Sequence, residues 1–284
     1  MRTGVAKRPA LAVAMVLVLL AGVLSFGEGH AFARQLLSVF RVRRFAVVRL
    51  DTDANCVEQV ASQLREILFV EDTPEVILAP THTTACSVEE ASAAAGFAVR
   101  APKYWPDRTE PRITVEGPSE QAIRFRGDGL RLLLEIGGMD PPAIPEELVE
   151  DEVRLTSAGA VYLQGTDTTI VQVADIRVTY PEGIDVAMIV EAGLRALGVS
   201  PEEAHRLSQK YDWASTALIP VLPDVIEVRE TEIAGSSVLL LSAWDPEGQR
   251  GARSMLVMER DGSLYALSGF AASEQLAQIA QSMF

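Results

Sequence analysis

The side chains best equipped for chemistry are few and scattered. Cysteine and histidine most readily bind a transition metal or serve as nucleophile and base, and the chain offers Cys56, Cys86, His30, His82 and His205. None stands in H-x3-H, HExxH or C-x-x-C spacing. A zinc site would have to be drawn from Cys56, Cys86 and His82, which lies four residues before Cys86. Two other readings stand beside it. A Cys56–Cys86 disulfide suits an exported chain and would close a loop of about thirty residues, contributing roughly 3 kcal/mol. The alternative is a pair of unrelated buried thiols. GxSxG, P-loop and GxGxxG patterns do not occur, and only Lys7, Lys103 and Lys210 could serve as Schiff-base or phosphate-binding lysines. Carboxylates abound, but in so acidic a chain no pair is singled out as an acid/base dyad. The run EELVEDE (146–152) lacks the alternating ligands and the glycine of a calcium loop. Three aromatic residues, Tyr104, Trp105 and Trp213, lie in stretches flanked by proline, where a ring can cap a ligand groove or plug one end of a sheet core. The expectation is no catalytic residue, no cofactor and no metal.

These residues must be positioned by regular elements, and apolar periodicity locates most of them. Val57, Val60, Leu64, Ile67 and Leu68 form one stripe of a helix from Ala54 to about Phe69, with Asp53 as its cap. Ser87 and Glu90 form a capping box that opens a short helix closed by Gly96. Strands are expected at 41–50, 75–78 and 97–101. Ala122 to Arg126 and Leu130 to Ile136 flank Asp128-Gly129, a hairpin signal. Further strands are predicted at 153–156, 160–164 and 169–180, then a helix opened by Asp185 and another opened by Ser200, Pro201 and Glu203. A loop from Trp213 to Pro223 leads to a meander: 225–233, 237–244, 254–260, the Asp261-Gly262 turn and 263–269. Ser273 is the expected cap of a last helix. The fold class is α+β, mostly antiparallel sheet with covering helices, with a helix pair inserted between two groups of strands.

Ahead of this body lies Pro9–Gly27, nineteen residues without a charge, preceded by Arg2, Lys7 and Arg8. As a helix it would cover close to 30 Å, the thickness of a bilayer core. The expected organisation is a cytoplasmic tail (1–8), a transmembrane helix (9–27), a juxtamembrane helix and strand (28–53) and an extracytoplasmic domain (54–284). Phe32, Leu36, Leu37 and Phe40 stand at helical spacing in the juxtamembrane part. Ala31-Phe32-Ala33 would supply a signal-peptidase site, so the chain is secreted if cleaved after Ala33 and a single-pass membrane protein otherwise. From Phe45 onward there are 18 basic against 38 acidic side chains, a balance of −20. Such a surface repels phosphate backbones and argues against nucleic acid as a partner.

Two stretches carry a resemblance. VEEASAAAGFAVRAPKYWPD (Val88 to Asp107) and VMERDGSLYALSGFAASEQLAQIAQSM (Val257 to Met283) resemble the start and close of a bacterial domain of unknown function found in membrane-anchored, anti-sigma-factor-like extracytoplasmic proteins. The matching positions are Gly96, Phe97, Val99, Pro102, Tyr104, Trp105 and Pro106, and then Asp261, Gly262, Tyr265, Leu267, Gly269, Ala280 and Ser282; Met258 stands where the family often carries Trp. The resemblance implies an extracytoplasmic sensory or binding module, linked to envelope or sigma-factor regulation, with an envelope protein or apolar ligand as partner. Only Met1 to Arg8 precede the apolar segment, too few for a folded sigma-binding region, so direct sigma-factor inhibition is not expected. The element order is also similar to lipoprotein-carrier half-barrels, which makes a lipid carrier the alternative, and an exported hydrolase the next.

Overall fold

The computed structural model describes residues 44–50, 54–70, 74–106, 110–140, 152–179, 185–213, 216–221, 225–244 and 252–284. Pro9–Gly27, the juxtamembrane helix, the cleavage site, Asp53 and His30 lie outside the described residues. Among the described residues no helix is long and apolar enough to cross a membrane.

Strands β1 (Arg44–Arg49), β2 (Glu75–Leu78), β3 (His82–Ala85), β4 (Arg112–Glu116), β5 (Ser119–Arg124), β6 (Glu152–Ser157), β7 (Gly159–Gln164), β8 (Thr168–Ala174), β9 (Arg177–Thr179), β10 (Thr216–Val221), β11 (Val225–Ile233), β12 (Ser236–Trp244), β13 (Ala252–Arg260) and β14 (Ser263–Gly269) are interspersed, among the described residues, with six helices. The helices are α1 (Ala54–Leu68), α2 (Val88–Ala95), α3 (Gly127–Ile136), α4 (Val186–Ala196), α5 (Pro201–Lys210) and α6 (Ser273–Ser282). The fold is α+β. An eight-stranded antiparallel sheet runs β11-β12-β13-β14-β8-β7-β4-β3, a four-stranded antiparallel sheet runs β2-β5-β6-β9, and β1 pairs with β10 in parallel.

The central strands of the large sheet, β7, β8, β12, β13 and β14, are buried on both faces, which explains why they read as nearly continuous apolar runs. Val161, Leu163, Ile170, Leu240, Leu256, Met258 and Leu267 pack under α2 and α6. From the same strands Tyr162, Val171, Val173, Leu239, Leu241, Val257 and Ala266 face the other way. They join a core built from β1, β10, α1, α3, α4, α5 and the inner face of the small sheet. The small sheet alternates instead: Ile123, Val153 and Leu155 point inward, while Arg154 on the outer face bridges Glu120 and Glu152 at 3.3 Å each.

Several local signals act as expected. Ser87 Oγ accepts the Glu90 N–H at 3.2 Å while the Glu90 carboxylate accepts the Cys86 N–H at 2.7 Å. Asp261 and Gly262 take φ of 54° and 78° between β13 and β14, the geometry of a type I′ hairpin turn.

Other expectations are overturned. Asp128-Gly129 makes no hairpin but lies in the first turn of α3. Leu130, Leu133 and Leu134 bury on one side of that helix, and the gain from burying them at helical spacing outweighs a turn dipeptide that is also compatible with a helix start. Gly129 is where α3 meets α1: a Cβ there would stand 2.0 Å from the Ile67 carbonyl oxygen. Residues 97–101 form no strand. The side-chain amide of fully buried Gln172 takes the place of a neighbouring strand, accepting the Arg100 N–H at 2.8 Å and donating to its carbonyl at 2.6 Å. The 169–180 strand divides at Asp175, whose φ of 47° turns the chain from β8 in the large sheet to β9 in the small one. The 213–223 loop contains β10, where Pro220 is tolerated because, among the described residues, β10 pairs with β1 on one side only. The last helix has Ala272, not Ser273, at its N-cap; the Ser273 hydroxyl donates to Glu227 instead.

Candidate functional site

The strongest meeting of ionisable side chains lies between α4 and α5. Asp185 caps α4 by accepting the Met188 N–H at 3.1 Å, and Ser200 caps α5 by accepting the Glu203 N–H at 3.4 Å, with Pro201 in its first turn. These caps hold the hairpin so that Glu191 of α4 faces His205 and Ser208 of α5. Glu191 is 4% exposed. Its Oε1 accepts from Arg195, one turn along α4; its Oε2 meets His205 Nδ1 at 2.9 Å and accepts the Ser208 hydroxyl at 3.1 Å. Arg195 also donates to the Gly137 carbonyl at 3.1 Å, which ties in the end of α3. Burial pushes the Glu191 carboxyl up, but the hydrogen bonds from His205, Ser208 and Arg195 outweigh it and hold the group below the usual carboxylate range.

A serine, a histidine and a carboxylate in one place invite comparison with a catalytic triad, and the geometry refuses it. A nucleophile must contact its base, whereas Ser208 Oγ and His205 Nδ1 both address the same carboxylate oxygen. The single hydroxyl hydrogen of Ser208 is shared between that oxygen and the backbone carbonyl of His205 at 2.9 Å, and does not go to the His205 ring. The cluster is a clamp that joins three helices. Its sequence signal was the i, i+4 pair Glu191–Arg195 facing His205 and Ser208 at i, i+3 on the next helix.

The aromatic residues singled out above do not gather around one groove. Trp213 is buried in the core of α4 and α5, where its Nε1 donates to the Ser208 carbonyl at 2.7 Å and Tyr211 meets it edge-on. Trp105 packs on the opposite side of the large sheet, against the core under α2 and α6, and its ring lies so close to Gly165 that a Cβ there would be 2.6 Å from it. Tyr104 is exposed, its N–H bound to Ser282 Oγ at 3.1 Å. Cys86 is an exposed free thiol, while the Cys56 side chain lies outside the described residues. His82 stands 3.5 Å from Glu116, and among the described residues no three His, Cys, Asp or Glu side chains are grouped to hold a metal ion.

The surface feature of most consequence is β2, which in the sequence shows only as a short strand. All four of its residues are exposed, Val76, Ile77 and Leu78 at 47%, 45% and 48%. It pairs with β5 from Glu75↔Ala122 to Leu78↔Glu120, with an irregular register between Val76 and Leu78, and it ends the small sheet. Val70, 46% exposed, lies along the same margin of β5, its N–H bound to the Arg124 carbonyl at 3.2 Å. The other edges of the two antiparallel sheets are short or charged: β3 reads His-Thr-Thr-Ala, β9 is three residues with Arg177, and β11 carries Glu227, Arg229, Glu230 and Glu232. Charge, brevity and bulges are the usual protections of a sheet edge; β2 is short, begins with Glu75 and has an irregular register, but its other three residues are apolar and exposed. Comparison of the chain with protein-family models, curated proteins and solved structures returns no match.

Proposed function

We propose that this chain is a membrane-anchored extracytoplasmic binding or sensory module, held at the membrane by Pro9–Gly27 and tied to envelope or sigma-factor regulation. The observation that carries the reading is the apolar edge at Val76, Ile77 and Leu78, an exposed surface suited to another protein, whereas the other edges of the two antiparallel sheets are short or charged. The resemblance at Val88–Asp107 and Val257–Met283 supports the same class. A protein partner is favoured over a lipid because a carrier needs an apolar concavity, and both faces of the large sheet's central strands are covered by its two cores. A hydrolase is disfavoured because Ser208 does not meet the His205 ring.

The test is site-specific photocross-linking in cells that express the full chain with benzoylphenylalanine at position 77, together with protease accessibility of the body in spheroplasts. The expected result is a protease-accessible body and a covalent adduct to one envelope protein. A body protected from external protease, or a position 77 that gives no adduct, would overturn the reading.

A further inference from the structure

The geometry points to strand addition at β2: an extended segment of a partner protein, apolar at alternate positions and basic at its flanks, pairs with the free margin of β2 and widens the four-stranded sheet to five. Strand addition rests on the binding-module reading above and specifies its mode. Three observations lead to it. First, β2 is bonded to β5 on one side only, so the backbone N–H and C=O groups that alternate along its other side have no strand partner among the described residues. A peptide strand satisfies such groups, and main-chain bonds then supply much of the affinity.

Second, the size of the apolar margin selects the occupant. Val70, Val76, Ile77 and Leu78 are each a little under half exposed. Four such side chains fall well short of the roughly 800 Å² per partner of a stable globular interface. A second copy of this chain joined through β2 alone would also bring two strongly acidic bodies together, each with a balance of −20 from Phe45 onward. A single added strand needs little area and brings no second acidic body. Third, that same acidity, with Glu75 at the start of β2, favours a segment whose flanks are basic.

The probe is a capped peptide of three Val-Thr pairs with two lysines at each end, added to the full chain in detergent micelles. Binding is followed by anisotropy and by hydrogen exchange at residues 76–78. Saturation should slow exchange at those amides about tenfold or more, and added salt should weaken binding. Methylating alternate backbone nitrogens of the peptide should abolish binding without touching the protein. Ile77→Lys should weaken binding about tenfold, while Leu132→Lys, at an exposed position of α3, should leave it unchanged. Equal binding of the methylated peptide, protection confined to other residues, no binding of the probe, or dimerisation with the same protection in its absence would each overturn strand addition. If position 77 still cross-links to an envelope protein while the probe fails, the binding module stands and only its mode falls.

Discussion

Replacing Glu191 by Gln tests whether the α4–α5 cluster is the clamp described. The substitution keeps size and one acceptor but removes the charge. Arg195, whose side chain is 19% exposed, then loses its counter-ion while still held against the Gly137 carbonyl. Breaking a fully buried pair costs about 3–5 kcal/mol. His205 is 64% exposed and rehydrates freely, so the loss falls mainly on Arg195, and about 2–3 kcal/mol is expected. Urea denaturation followed by tryptophan fluorescence suits the measurement, because Trp213 is bonded to Ser208 within the cluster. Glu191→Gln combined with Arg195→Met should recover at least about 1 kcal/mol, since removing both charges leaves none uncompensated. The pH dependence has a fixed sign. A carboxyl held below its ordinary range contributes stability that is present above that range and lost as pH falls through the folded value. The gap between wild type and Glu191→Gln should therefore be full at neutral pH and close as pH drops below about 4. A gap under about 0.5 kcal/mol at pH 7, or one that widens on acidification, would refute the clamp.

Three further changes probe the close contacts that position the elements. Gly129→Ala forces α3 away from the Ile67 carbonyl and should cost about 1–3 kcal/mol in urea denaturation; an unchanged midpoint would show that the two helices do not meet there. Gly165→Ala pushes a methyl group into the Trp105 ring, which should leave its packing and shift tryptophan emission to the red. Gln172→Leu removes the amide that serves Arg100 and should cost about 1–3 kcal/mol, with faster hydrogen exchange at the Arg100 N–H as its specific sign.

Much of the fold was legible where local physics decides. The helix caps at Ser87, Asp185 and Ser200, the stripe Val60–Leu64–Leu68 and the Asp261-Gly262 turn each depend on neighbours within a few residues, and each is found in the structure. Residues 97–101 form no strand because Arg100 bonds to a side chain 72 positions away and the Val99 N–H to the Ser92 hydroxyl, which no strand pattern records. The candidate site was less legible still. Glu191 looks like one carboxylate among 39 Asp and Glu until α5 folds back on α4, and Trp105 and Trp213 look alike in sequence although the large sheet separates them.

By itself, then, the sequence determined an acidic α+β body, its C-terminal meander and its helix hairpin, because periodicity and capping act over short spans. Only the tertiary structure decided that Asp128-Gly129 starts a helix, that Glu191 is a buried junction of three helices, and that among the described residues β2 is an exposed apolar sheet edge. Burial and edge exposure are properties of which elements become neighbours, and long-range packing sets those neighbours after local propensity has been spent.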